Sequence, residues 1–326
     1  MKIGVIGAGA IGSLLGIPLA EIPNKVSVFA RGHTLAAIRA RGWILERDGA
    51  RIQADVTASD DPAELGVQDV LLIAVKGPAL NAVAQAAKPM IERETIVIPA
   101  MNGVPWWFLL SGRGALPPTA LRSVDADGAI ANALSFGSIL GCVVHASAHT
   151  AAPAVTIHKA GNRLIFGEPD GLRSSRLQHV ANLFTNAGFE VVQSQNIQRD
   201  IWYKLWGNMT MNPISALAGA TSDRIIADEL VHAFVLRVMA EAADIGKQID
   251  CEIHESGEDR VAIARRMGPF KTSMLQDAEG GRPLEIDQLL AAPREIARLL
   301  GIPTPNLDAL FGLTRLFARS RDLYPR

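Results

Sequence analysis

The chain is predicted to be an α/β protein built in two parts, a doubly wound parallel sheet followed by an all-helical region. Three observations lead there: a glycine turn between a buried strand and a helix at the start, apolar strands recurring with helices up to about residue 195, and a helical pattern from there to the end. They give an N-terminal Rossmann-type doubly wound sheet over 1–195 and a C-terminal all-α domain over 196–326. The length of 326 residues fits two domains.

Residues 1–6 hold Ile3, Val5 and Ile6 with too little alternation for a half-exposed strand, which suits a strand buried on both faces of a parallel sheet. Gly7-Ala8-Gly9-Ala10-Ile11-Gly12 follows, a GxGxxG, then a predicted helix over 11–21 and a second strand over 25–31. In that setting Gly7 permits the tight turn, Gly9 lets backbone approach a pyrophosphate, and Gly12 lets helix and strand pack closely. The helix N-terminus offers free N–H groups to the phosphates. The second strand ends in Arg31, where an NAD enzyme usually carries Asp or Glu. A guanidinium suits a 2′-phosphate, so the expected cofactor is NADP(H) rather than NAD(H).

A hairpin is predicted over 43–56 with its turn at Asp48-Gly49. Buried strands follow over 69–75, ending in Lys76, and 95–99, leading to Asn102-Gly103-Val104-Pro105-Trp106-Trp107. Ligands bind beyond the carboxyl ends of such strands, which singles out Arg31, Lys76 and Asn102. Three more strands are expected near 138–145, 154–158 and 163–166, then a helix over 171–188 and a last strand over 189–194. Helices are expected over 223–246, 260–266, 284–300 (kinked at Pro293) and 306–319. Trp106 and Trp107 are expected at a cleft rim, and Asp277 in a local cap or salt bridge.

Composition narrows the function. Hydrophobic residues make up 48% and charged residues 20%, as in globular proteins. Lys and Arg total 32 against 33 Asp and Glu, so no electrostatic footprint for nucleic acid or an anionic membrane surface is present. Cys142 and Cys251 are too few for a disulfide framework, and a reducing, cytoplasmic compartment is expected. Glycines and Pro18 interrupt the apolar N-terminus, so it reads as strand, turn and helix rather than signal peptide. No membrane span is expected. His145 and His149 lie in a strand-and-loop region without HExxH, so no metal site is expected there.

Lys204, Asn208 and Asn212 recur at four-residue spacing in a greasy segment, Ile-Trp-Tyr-Lys-Leu-Trp-Gly-Asn-Met-Thr-Met-Asn-Pro. Four residues advance about 400° on an α-helix, so the three form one polar stripe. Buried polar groups cost free energy unless hydrogen-bonded, so the stripe implies a use. Asn212 also reads as a cap before Pro213, and Lys204 as a snorkelling lysine.

With the glycine turn, Lys76, Asn-Gly-Val-Pro, this stripe, and Ser273-Met-Leu-Gln-Asp277 followed by Arg282-Pro-Leu-Glu285-Ile-Asp287, the chain resembles the ketopantoate reductase family (2-dehydropantoate 2-reductases) along nearly its whole length. The resemblance implies a Rossmann domain and an all-helical domain with the active site in the interdomain cleft. It implies NADPH-dependent reduction of a 2-oxo acid, ketopantoate, to the (R)-2-hydroxy acid, a step in pantothenate and coenzyme A biosynthesis. It gives Lys204 as general acid and Glu285 as the acid that orients lysine, cofactor and substrate. Asn208, Asn212, Ser273 and Asn102 match substrate positions. Gly7, Ala8, Gly9, Ala10, Ile11, Gly12, Arg31, Lys76, Asn102 and Glu285 match cofactor positions. Met101, Phe270 and Leu290-Ala291 depart from the family pattern on the substrate side. Reduction of another 2-oxo acid or an imine therefore stays open, as does a non-catalytic NADP(H)-binding regulator. The expected partner is a small 2-oxo acid, and a homodimer is left open.

Overall fold

A computed structural model describes residues 1–325. They cluster into two compact bodies. One comprises Met1–Met101 and Ala129–Ile197; the other comprises Asn102–Gly128 and the chain from Gln198 onward.

The first body holds two sheets. Its strands are β1 (Lys2–Ile6), β2 (Lys25–Phe29), β3 (Trp43–Arg47), β4 (Ala50–Ala54), β5 (Thr57–Ser59), β6 (Val70–Ile73), β7 (Ile96–Pro99), β8 (Gly141–Ala152), β9 (Val155–Gly167) and β10 (Glu190–Gln193). The first sheet runs β5-β2-β1-β6-β7 with every pairing parallel. The chain leaves β1 to one side for β2 and later returns to its other side for β6, so the strand order reverses at β1. Ile3, Val5 and Ile6 are at most 1% exposed, as a strand covered on both faces requires.

The second sheet runs β10-β9-β3-β4, with β8 antiparallel to β9. Here the expectation of three separate strands between 138 and 166 is corrected to one long hairpin. Register shifts after His145 and Ser147 let a single strand pass through what reads as a break. The shorter hairpin β3–β4 is as predicted, with positive φ at Asp48 and Gly49 to fit the twist of its strands.

The helix Ala10–Ala20 has no polar side: Gly12 through Leu19 are all buried. Such a helix must be covered all round. Its small residues admit Trp43 of β3, whose indole N–H donates to Ser13 Oγ at 2.9 Å, and a Cβ on Gly16 would lie 2.6 Å from that ring. Sheet residues and this helix thus share one core.

A buried ion pair closes the first body. Glu168, 4% exposed, accepts from Arg176 Nε at 2.8 Å and Nη2 at 2.5 Å, and from Ser174 Oγ. Arg176 also donates to the carbonyls of Gly137 and Ile139, and the hydrogen bond to Glu168 raises its already high pKa. Ser174 in turn caps the helix Ser175–Asn186 by accepting from the Leu177 N–H.

The second body is helical. Its central helix, Ile197–Ala218, is pinned by two indoles: Trp202 donates to the Ala242 carbonyl at 3.1 Å and Trp206 to the Met239 carbonyl at 2.7 Å, both on the helix Glu229–Gln248. The helix passes through Pro213, so Asn212 is interior and does not cap it. The helix expected over 223–246 is divided: Ser222–Ala227 ends before Asp228, whose carboxylate accepts from the N–H groups of Leu230 and Val231 and starts the next helix. The helix expected over 284–300 is a π-helical turn, Asp287–Ala291, leading into Ala292–Leu300. The Ala292 N–H reaches back to the Asp287 carbonyl, and Pro293 falls in the first turn, where its missing N–H does no harm.

Asn102–Gly128 clusters with this helical body, although it lies before residue 195 in the chain. Trp106, Trp107 and Phe108 are at most 2% exposed, so they form core rather than a rim. Phe108 packs on Trp202 with ring centroids 6.1 Å apart. Glu295 accepts from the backbone N–H groups of Arg122 and Ser123 at 2.9 and 2.8 Å. Asp277 pairs with Arg282 at 2.9 Å, the local salt bridge read from the sequence.

Removing the partner of a buried carboxylate typically costs about 3–5 kcal/mol. Arg176→Ala should therefore lower the urea unfolding free energy by about 3 kcal/mol, the low end because Arg176 is partly exposed. A change under about 0.5 kcal/mol would show that the pair adds nothing.

Candidate functional site

In the first body the glycine turn sits where the strand order reverses, the position at which parallel sheets bind ligands. The three glycines have different reasons to be glycine. Gly7 adopts φ +98°, and a Cβ there would lie 2.8 Å from the Ala74 carbonyl oxygen. A Cβ on Gly12 would lie 1.9 Å from the Gly7 carbonyl oxygen, an impossible approach. Gly9 has φ −82°, open to any residue, and a Cβ on it would meet nothing within 4 Å. The fold therefore demands Gly7 and Gly12, while nothing in the chain requires residue 9 to lack a side chain.

Gly9 caps the helix Ala10–Ala20 without a side-chain hydrogen bond, and no acidic residue occupies the first turn. The same holds for the helix Gly32–Arg41, which Arg31 precedes, and the helix Gly77–Ala86, which Lys76 precedes. All three helices begin at the carboxyl edge of the first sheet, where Ile6 is paired with Phe29 and with Ile73. Arg31 and Lys76 are exposed, and the Arg31 guanidinium lies 5.8 Å from the Phe29 ring centroid. Three helix starts whose N-cap residues supply no side-chain cap, two of them preceded by the cations Arg31 and Lys76, suit an anion. Such an edge suits phosphate groups.

In the second body Lys204, Asn208 and Asn212 lie in order along the helix Ile197–Ala218. Lys204 and Asn208 are half-buried, and Asn212 is 7% exposed. Ser273 begins the helix Ser273–Glu279, which Thr272 caps by accepting from the Leu275 N–H. The Asn212 Nδ2 donates to Ser273 Oγ at 3.5 Å, so residues distant in sequence are brought together at one end of the stripe. Glu285 is 9% exposed and immediately precedes Ile286, where helical geometry begins. Its neighbour Asp287 is hydrogen-bonded by the Tyr324 hydroxyl, and burial raises its pKa against that bond.

Asn102 is held by backbone contacts of its neighbours. The Val104 N–H donates to the Gln288 carbonyl at 2.9 Å, and Gly103 at φ +77° comes so close that a Cβ would lie 2.5 Å from that oxygen. Gln288 belongs to the π-helical turn, a feature often found at functional sites. The hooked segment is thereby tied to the turn that follows Glu285.

One arrangement was not read from the sequence. Gly207, one turn beyond Lys204, has the Arg260 guanidinium against it: a Cβ there would lie 2.5 Å from Arg260 Nη2. An isolated glycine in a helix costs about 1 kcal/mol relative to alanine, and that was the available signal.

Comparison with known proteins covers both bodies. Residues 3–171 match the family described as ketopantoate reductase PanE/ApbA, and residues 196–318 match its C-terminal counterpart. The chain is similar to a 2-dehydropantoate 2-reductase of Mesorhizobium japonicum, 40% identical over 99% of this chain and all of that one. Among solved structures it is similar to a candidate ketopantoate reductase from Ralstonia solanacearum MolK2, at TM-score 0.95 and 51% identity over 99% of each chain. It is also similar to a PanE/ApbA family ketopantoate reductase from Ralstonia eutropha JMP134, at TM-score 0.84 and 26% identity over 99% of this chain and 100% of that one.

The glycine geometry separates fold from ligand. Gly12→Ala should cost about 3 kcal/mol in urea unfolding, because its overlap is with backbone. Gly9→Ala should cost no more than about 1 kcal/mol, yet raise the NADPH Kd by about tenfold or more in calorimetric titration. Unaltered NADPH affinity in folded Gly9→Ala would detach the clear space from the cofactor.

Proposed function

The chain belongs to the ketopantoate reductase family and is an oxidoreductase, and from that premise we propose that it reduces 2-dehydropantoate (ketopantoate) to (R)-pantoate with NADPH, a step toward pantothenate and coenzyme A. The observation that carries the reading is the Lys204–Asn208–Asn212 stripe on a largely apolar helix, joined to Ser273 by a hydrogen bond.

When bound, the nicotinamide supplies a hydride to the C2 carbonyl carbon of the acid. In this reading Gly7, Ala8, Gly9, Ala10, Ile11 and Gly12 hold the pyrophosphate, and Arg31 holds the 2′-phosphate that distinguishes NADPH from NADH. Lys76 and Asn102 complete the cofactor side. As charge develops on the carbonyl oxygen, Lys204 stabilises it and delivers a proton from Nζ, leaving a 2-hydroxy acid. In this reading Glu285, 9% exposed, is the acid that orients Lys204, cofactor and substrate. Asn208, Asn212 and Ser273 bind the oxygens of the substrate as neutral donors, adding no further titrating group.

A second reading, reduction of another 2-oxo acid, is favoured by Met101, Phe270 and Leu290-Ala291, which depart from the family pattern on the substrate side. Loss of NADPH absorbance with ketopantoate and a panel of 2-oxo acids separates the two. Tight NADPH binding without oxidation by any acid would instead favour a non-catalytic role.

General acid catalysis typically contributes about 10²–10⁴-fold. Lys204→Ala should lower kcat by about two decades or more while leaving the NADPH Kd nearly intact. Turnover close to wild type would discard Lys204 as the acid. Arg31→Ala should weaken NADPH and spare NADH; equal effects on both would remove Arg31 from cofactor choice.

A further inference from the structure

We propose that Arg260 is the carboxylate anchor of the substrate site, a specificity-determining residue that selects acids over their uncharged analogues. The inference rests on the reading above that the substrate is a 2-oxo acid.

Arg260 lies in the helix Gly257–Arg266, which opens with a capping box between Ser256 and Asp259. Its guanidinium carbon sits 5.7 Å from the centroid of the Tyr203 ring. A Cβ on Gly207 would lie 2.5 Å from Nη2, 2.8 Å from Cζ and 3.0 Å from Nε, so the absence of a side chain at 207 makes the room the guanidinium occupies. Lys204 and Gly207 are separated by three residues on one helix and are therefore surface neighbours. The cation thus packs against the helix about one turn from the lysine that begins the polar stripe.

One donor of the guanidinium has no partner in the chain. Its Nε is buried and donates to nothing in the chain. Among the described residues Arg260 forms no ion pair with a carboxylate. The nearby Glu255 is hydrogen-bonded by Tyr203, whose pKa is pushed up to about 12 by burial first and by that bond second. An arginine with a fixed plane and no anion of its own is suited to bidentate recognition of a carboxylate. A 2-oxo acid carries one adjacent to the ketone. In this proposal Arg260 takes the carboxylate and Lys204 the ketone oxygen, which leaves Asn208, Asn212 and Ser273 for the rest of the molecule.

The test uses the full-length protein with NADPH and the acid most active in the panel. Each variant is assayed against that acid and its carboxamide, the latter as substrate or as competitive inhibitor. Arg260→Gln should raise KM for the acid about 10- to 100-fold, the worth of a hydrogen bond to a charged group, with kcat changed less than about threefold. Affinity for the carboxamide and for NADPH should not change. Arg260→Lys should recover part of the loss, since it keeps the charge but not the fork. Gly207→Ala, which displaces the guanidinium while keeping Arg260, should raise KM for the acid in the same direction. An unchanged acid KM in folded Arg260→Gln overturns the proposal. So does an equal loss for acid and carboxamide, which is the signature of a purely structural arginine. If the wild-type protein oxidises NADPH with no acid, the reading beneath the anchor fails and the anchor with it.

Discussion

The first body depends on one contact, the approach of Gly12 to the Gly7 carbonyl oxygen at a distance no Cβ could tolerate. It lets the helix Ala10–Ala20 leave β1 steeply enough to lie buried on every side, with Trp43 of the second sheet on its small-residue face. The same turn points the start of that helix away from the core. Its first N–H groups, which no side chain caps, are left for an anion. Packing and an uncapped helix start therefore come from one constraint with two outcomes. The glycines that touch the chain build the fold, and the glycine that touches nothing leaves the opening.

The helical body applies a related economy. A largely apolar helix has no intrinsic preferred rotation, so its orientation must be set by specific bonds. The indoles of Trp202 and Trp206 do this, each donating to a carbonyl of the helix Glu229–Gln248. With those two side chains bound on one side, the stripe of Lys204, Asn208 and Asn212 is held away from them. The hydrogen bond from Asn212 to Ser273 and the packing of Arg260 over Gly207 then complete a polar surface on an apolar scaffold. In the proposed reaction each of these groups meets a different part of a small acid, which is how neutral amides, one ammonium and one guanidinium avoid competing for the same oxygen.

Much of this was legible in the chain because local patterns carried it. The glycine turn lies between a non-alternating strand and a helix, and each polar residue of the stripe stands among apolar neighbours. What was missed depends on contacts between distant segments. Periodicity marks residues 138–166 as strand, but cannot tell that a bulged hairpin in a second sheet absorbs them. Trp106, Trp107 and Phe108 announce burial without saying against which body, and Phe108 finds Trp202. The π-helical turn ahead of Pro293 has no periodic signature at all. Arg260 looks like any surface arginine in its own helix, and only Gly207 on another helix gives it meaning.

The account stands or falls on whether the bare helix start at Gly9 receives the cofactor phosphates. Residue-resolved amide NMR of the isotopically labelled protein, titrated with NADPH, tests this directly. The account predicts that the amide signals of Ala10, Ile11 and Gly12 shift as binding saturates, together with that of Gly32 after Arg31. Saturable NADPH binding that leaves those amides where they were would contradict it.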